Sequence, residues 1–449
     1  MSKGLTKEEV EKITPQEVHK VLNRVLLTDG FPLVFDFDKS EGSYLYDSRT
    51  NKKFLDFFTF FASWAVGYNH PKMNDPKFLE HLGKVAAVKI ANSDIYTVEM
   101  AQFVATFERV CMPKEFKRVF FIDGGALAVE NALKVAFDWK TRKNFANGKE
   151  KEAGSVIHFR QSFHGRSGYT MSLTNTDPWK VRYFPKFDWP RIDNPVCHFP
   201  LEGDNLKKVI EAEEKALNQI KDAISKDADG IACLIIEPIQ GEGGDNHFRK
   251  EFMQELRKIT EEHDILFICD EVQSGMGITG KMWAYEHYDI VPDIVSFGKK
   301  SQVCGIMVTE RCLKVESNVF VQSSRINSTW GGNIADMLRA QRIYEIIEEE
   351  KLVDNAAEVG AYLLQKLLEL QTAYPSHISN TRGKGLFCSF DLPSKEFRDS
   401  LKAKCYEKSM IILPCGPSSL RFRPALNSKK AHVDEAYNIL NESLKELVK

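Results

Sequence analysis

The chain has 449 residues, 43% of them hydrophobic, with 61 Lys+Arg against 63 Asp+Glu; a chain of this size and composition buries a large core and is neither a disulfide-stapled miniprotein nor a disordered tail. A formal charge of −2 lacks the basic excess that binding to a phosphate backbone needs, so nucleic acid is not an expected partner. The N-terminal MSKGLTKEEVEKITPQEVHK has no apolar signal core and no apolar run approaches about 20 residues, so the expectation is a soluble, cytoplasmic protein without a membrane partner. Nine cysteines without a C-x-x-C pair read as reduced packing residues, and eleven histidines without H-E-x-x-H spacing predict no protein-built metal site.

In chain order, the first thirty residues predict short helices: Thr6-x-x-Glu9 is a capping box, and Thr14-Pro15-Gln16-Glu17 places Pro at the first helical position. Residues 1–60 are expected to form an N-terminal arm packed with a small domain. From 61 to 330 short apolar runs alternate with helical patterns, the signature of βαβ units around a mostly parallel sheet covered by helices. Arg118–Ile122, Ile231–Ile236, Ile265–Cys269 and Ile294–Phe297 are apolar on both alternating faces, as buried strands are, and a helix is predicted over Leu127–Thr141. Residues 331–449 change texture to an expected smaller α+β domain. It has helices at Ile334–Glu350 and Val353–Leu370, a strand at GLFCSF, a further helix, and a terminal helix with a stripe of Val433, Ala436, Tyr437, Leu440, Leu444 and Leu447.

Ligands of open α/β sheets sit beyond the carboxyl ends of the strands. Here those ends read DGGA, EPIQGEGG, DEVQ and GKK. Asp270 follows ILFIC directly, and a buried carboxylate stays ionised only beside a cation or several hydrogen bonds. Taken alone it is also a candidate helix N-cap. Lys299 closes the neighbouring IVSF run, where a desolvated amine is a nucleophile toward an aldehyde. An Asp against a ring nitrogen and a Lys in a Schiff base are the two protein groups that pyridoxal 5′-phosphate requires. Gly124-Gly125-Ala126 opens a helix after RVFFI, so free backbone N–H groups point where a phosphate fits, while no nucleotide-type glycine motif is present.

The ordered set GGALAVENALK, SFHGR, EPIQGEGG, DEVQSGMGITGKMWAYEHYDIVPDIVSFGKK and SLRFRP spans nearly the whole chain. On it the sequence resembles the class III aminotransferases, pyridoxal-phosphate enzymes of fold type I. The resemblance implies Lys299 as the Schiff-base lysine with Lys300 as the fallback, Asp270 on the pyridine nitrogen, Gln273 on the ring 3′-oxygen and Phe163 against the ring face. It also implies Gly125 and Ala126 at the phosphate through backbone N–H groups, Thr329 reaching that phosphate from the other subunit, and hence a homodimer with shared sites. Many members carry Ser-Gly-Thr where this chain has Gly124-Gly125-Ala126, so one phosphate-binding hydroxyl is missing.

GGALAVENALKVAFDW, FHGRSGYTMSLTNT, FGKKSQVCGIM and NSTWGGN are most similar to class members that move the ε-amino group of L-lysine to 2-oxoglutarate, releasing glutamate. That likeness implies Arg421 for the α-carboxylate of 2-oxoglutarate and Arg166 for its far carboxylate or for the α-carboxylate of lysine. Glu242 is implied as the carboxylate that neutralises Arg421 in the lysine half-reaction. Asn327 and residues 60–66 are candidates for the α-amino end of the pocket. The 4-aminobutyrate and ornithine ω-aminotransferases of the same class are the alternative; a non-enzymatic pyridoxal-fold regulator or scaffold would be expected to have lost Lys299 or Asp270, and both are present.

Overall fold

The computed structural model describes residues 4–448; Met1–Lys3, at the tip of the expected arm, and Lys449 lie outside the described residues. At its centre is a seven-stranded sheet. In chain order its strands are β1 (Phe116–Ile122), β2 (Ser155–Phe159), β3 (Arg191–Ile192), β4 (Ile231–Ile236), β5 (Leu266–Asp270), β6 (Ile294–Phe297) and β7 (Cys304–Thr309). In space they run β1-β7-β6-β5-β4-β2-β3. Every pairing is parallel except the two made by β7. The connection 298–303 between β6 and β7 is too short for a crossover, which forces the return antiparallel.

All residues of β4, β5 and β6 are buried, because helices cover both faces. The helix Gly125–Ala146 is the inner cover and buries Trp139. It begins two residues before the expected span and ends five after it, since it starts directly at the glycine turn behind β1. The second N-terminal helix needs correction: it occupies Val18–Leu22, while the Thr14 amide and hydroxyl donate to Glu17 at 2.9 and 2.8 Å across an isolated turn. None of its residues is buried, and a short helix without tertiary burial does not propagate. The Thr6–Glu9 capping box is present in both directions.

Toward the other end, Tyr44–Asp47 and Lys52–Asp56 form a hairpin, and Met410–Ile411 adds to it in parallel, tying the N-terminal segment to the C-terminal part of the chain. Ser379–Lys384, Phe387–Asp391, Ser419–Phe422 and Leu413–Cys415 form a separate antiparallel sheet. On the terminal helix Lys430–Leu447, Val433, Ala436, Leu440 and Leu444 are buried, with Tyr437 and Leu447 packed half-buried beside them. The helix Ile334–Glu349 packs back on Val98–Val110: the Tyr344 ring lies 6.0 and 6.1 Å from Phe103 and Phe107.

Candidate active site

β5 delivers Asp270, only 4% exposed, to the edge of the sheet. Its Oδ1 accepts the Val272 amide at 3.1 Å, the cap expected of an Asp after a strand, and its Oδ2 meets His164 Nδ1 at 2.7 Å. Within this chain the side chain that meets this carboxylate is a histidine from the SFHGR loop, not the neighbouring lysine. One strand away, β6 ends in Gly298, and a Cβ there would lie 3.3 Å from Val272 Cγ1 and 3.6 Å from Gly125 Cα. The three strand-end turns therefore converge so closely that position 298 has little room for a side chain.

Lys299 stands in the left-handed region at φ 53°, held by the Gln302 amide on its carbonyl at 2.8 Å. Burial and then the Arg421 charge lower its amine to about 8. Lys300 points the other way: its buried amine donates to the Ala62 carbonyl at 2.6 Å, and burial, then Arg423 and Lys299, hold it well below an ordinary lysine. Gln302 donates to the Ser63 carbonyl at 2.7 Å. These two bonds from the Lys299 turn hold Ala62 and Ser63, at the end of residues 59–62, four consecutive non-glycine residues at positive φ, of which Phe60 and Phe61 are exposed.

The SFHGR loop lies on the N-terminus of helix Gly125–Ala146. A Cβ on Gly165 would be 2.5 Å from Ala126 Cβ, so only glycine permits this approach at its φ of 115°. Glu237, behind the loop, accepts the Phe163 amide on one oxygen at 2.9 Å and the Gly241 amide on the other at 3.1 Å. Burial raises its carboxyl to about 7, with Asp270 adding to the rise and His164 opposing it.

A charged cluster closes the other side. Arg421 Nη2 lies 2.8 Å from Glu242 Oε2, while Lys180 Nζ lies 2.6 Å from Glu242 Oε1. Burial raises the Glu242 carboxyl, but Arg421 and Lys180 outweigh it and hold the group below its usual value. Arg421 and Arg423 both reach Gln273 Oε1 at 3.4 Å, and Arg423 pairs with the buried Asp245. Three buried nitrogens here, His164 Nε2, Arg421 Nε and Arg423 Nε, have no hydrogen-bond partner.

Asp270, Lys299, Gly125, Ala126, Phe163, Gln273, Glu242 and Arg421 are thus brought to one edge of the sheet by direct contacts or by the convergence of their turns. Three expected residues are not joined to them within this chain. Arg166 is exposed and lines a cavity of about 640 Å³ with Glu130, Tyr169, Phe184 and Phe187, and no ion pair among the described residues links it to Arg421 or Glu242. Asn327 and Thr329 are exposed, and Asn327 Oδ1 accepts the neighbouring Ser328 amide at 2.8 Å. Sequence reading missed His164, Glu237, Asp245, Arg423 and Lys180. The first four lie inside or beside motifs already singled out; Lys180 carries no sequence signal.

The site therefore combines a buried carboxylate, an amine of lowered basicity and a helix N-terminus at the ends of β5, β6 and β1, the three kinds of group that a pyridoxal phosphate molecule requires. The class-III aminotransferase family model matches residues 28–444. The chain belongs to the class-III aminotransferases. As a member it is a pyridoxal-phosphate-dependent aminotransferase of fold type I. It is 49% identical over 433 residues to the L-lysine-epsilon aminotransferase of Mycobacterium tuberculosis, covering 96% of each chain. The solved lysine aminotransferase from M. tuberculosis superimposes with a TM-score of 0.94 at 48% identity, over 96% of this chain and 99% of that one. Human mitochondrial 4-aminobutyrate aminotransferase is more distant, 32% identical over 98% of this chain and 90% of its own. Among the described residues of this class-III aminotransferase, no helix is long and apolar enough to cross a membrane.

Proposed function

We propose that this aminotransferase moves the ε-amino group of L-lysine to 2-oxoglutarate, giving 2-aminoadipate 6-semialdehyde and glutamate. The observation that carries the reading is the Arg421–Glu242 pair beside Lys299. One pocket must admit an uncharged methylene chain in one half-reaction and a dicarboxylate in the next, and a buried arginine with a removable counter-charge meets both demands. The names of its near-half-identical relatives support lysine as the donor.

Pyridoxal phosphate, when bound, supplies an aldehyde that takes the amine and a ring that stores the electrons left by proton removal. The residues present fit it. Lys299 would hold the aldehyde carbon and afterwards carry the proton to and from substrate carbon, a task suited to an amine near 8. Asp270, itself steadied by His164, would keep the ring nitrogen protonated. Phe163 would cover the ring face, Gln273 would donate to the ring oxygen, and the amides of Gly125 and Ala126 at the helix start would hold the phosphate. Thr329 would add a hydroxyl from the second chain of a homodimer, replacing the one absent at position 124 or 126. Arg421, whose buried Nε has no partner in this chain, would take the α-carboxylate of 2-oxoglutarate. Arg166 would turn inward to the distal carboxylate, with Asn327 at the α-amino end.

The same reading treats residues 1–60 as an arm, 61–330 as the cofactor domain and 331–449 as the small domain, in the cytoplasm. The test is the kcat/KM of the holoenzyme with lysine, ornithine and 4-aminobutyrate, each with 2-oxoglutarate. Lysine is expected to be the preferred donor; a preference for either competitor overturns the assignment.

A further inference from the structure

Glu242 sends its two oxygens to different cations on different elements. The inner one, Arg421, lies on strand Ser419–Phe422 and its side chain is 4% exposed; the outer one, Lys180, ends the turn Pro178–Lys180 and is 28% exposed. The backbone of Glu242 is pinned, since the Gly416 amide donates to its carbonyl at 2.9 Å and Gln240 and Asn246 close the loop by reciprocal amide bonds at 3.0 Å. Only the side chain is left free of such bonds, and it bridges a buried and a solvent-side cation. Lys180 is itself steadied: its amine lies 5.6 Å from the Phe163 ring centroid, and Asp177 caps its turn through the Trp179 amide at 3.0 Å.

We propose that Lys180 is a positioning residue for acceptor specificity: it retains Glu242 when the carboxylate of a 2-oxo diacid displaces Glu242 from Arg421. The proposal rests on the reading of Arg421 and Glu242 given above. A carboxylate released from a buried arginine without a second partner stays partly desolvated and unpaired, which opposes ligand entry. With Lys180 in place, Glu242 exchanges two ionic partners for one. The charges also balance: Arg421, Lys180 and Glu242 together carry +1, which one entering carboxylate cancels, whereas without Lys180 the same entry leaves −1. For the methylene chain of lysine no carboxylate enters at Arg421, so the inner pair stays closed and Lys180 contributes less.

The test uses holoenzyme and glutarate, a dicarboxylate without a carbonyl to react, with binding measured by calorimetry alongside single-turnover rates of each half-reaction. Lys180→Met is expected to weaken glutarate about fivefold and to shift the ratio of the half-reactions by the same factor against 2-oxoglutarate, through KM rather than kcat. Lys180→Arg restores most of the loss. Glu242→Ala tightens glutarate, and adding Lys180→Met to it has no further effect. Equal losses in both half-reactions of Lys180→Met, or an undiminished Lys180→Met effect in the Glu242→Ala background, overturns the proposal, the latter because Lys180 would then contact the ligand itself. Failure of Glu242→Ala to tighten glutarate overturns the switch reading of Arg421 and Glu242 instead.

Discussion

The two ends of the site are built in opposite ways. At the cofactor end, Asp270, His164, Glu237 and the Lys299 turn are buried or half-buried and take their bonding partners from strands and loops of the same chain. At the exposed end, Arg166, Asn327 and Thr329 lie open to solvent, and Trp179, Tyr183, Phe184 and Trp330 leave large apolar surface near them in sequence. The second end has the composition of a surface awaiting a partner, with exposed aromatic rings beside functional residues. One chain thus assembles Asp270, the Lys299 turn and the Arg421–Glu242 pair from its own elements and leaves Arg166, Asn327 and Thr329 on its surface.

The sharpest way to break that contrast is at the two neighbouring lysines. Lys299→Ala is expected to abolish turnover and the retention of pyridoxal phosphate through borohydride reduction and denaturation, with the fold intact. Lys300→Ala should keep that covalent retention but lose roughly 1–3 kcal/mol of stability, because the Ala62 carbonyl loses its buried donor. Mass spectrometry and urea unfolding of the two variants separate these effects, and an exchange of phenotypes moves the catalytic amine to Lys300.

Asp270→Asn tests the buried end through charge alone. Cofactor binding should persist while kcat falls on the order of a hundredfold or more, since an amide cannot hold the ring nitrogen protonated. Near-normal turnover would remove Asp270 from the chemistry.

For the exposed end, Thr329→Val should weaken pyridoxal phosphate binding by roughly tenfold, the worth of one charge-assisted hydrogen bond. Mixing Lys299→Ala and Thr329→Val chains then sharpens the comparison. If the hydroxyl crosses between subunits, each hybrid dimer gains one site with both wild-type groups and recovers wild-type cofactor affinity there. A hydroxyl acting within its own chain gives no such site, and fluorescence titration of the mixture would show only the weakened one.

The smallest expected effect concerns Glu237. Burial raises its carboxyl from 4.5 to about 7, so the native state keeps this proton to higher pH than the unfolded chain does. Its contribution to stability is full below the unfolded value and declines as pH rises through about 7. Glu237→Gln should flatten that part of the stability-pH curve measured by urea unfolding between pH 5 and 8. An unchanged slope would assign the titration to another group, Glu271 being the other buried carboxyl raised to about 7.

Most of the cofactor end was legible beforehand. Ile231–Ile236 and Ile294–Phe297 are strands with the expected bounds, and Asp270 and Lys299 follow from apolar runs that can end only at a sheet edge. The antiparallel strand Cys304–Thr309 was not anticipated, because its apolar pattern resembles that of its neighbours and its direction follows from the shortness of one loop. His164 was hidden for a different reason: it stands 106 residues from Asp270, and no local pattern encodes a bond across that separation.

The amino-acid sequence by itself determined the alternation that makes the sheet, the order of the strand-end motifs and the residue types offered to pyridoxal phosphate, since periodicity and turn chemistry act over a few residues. Which side chains meet was decided only by tertiary structure. Lys180, Glu242 and Arg421 come from three separated segments, and their ionic contacts exist only because the packed sheets bring those segments within 3 Å of one another. Charge pairing of this kind depends on distance and burial, neither of which a linear chain possesses.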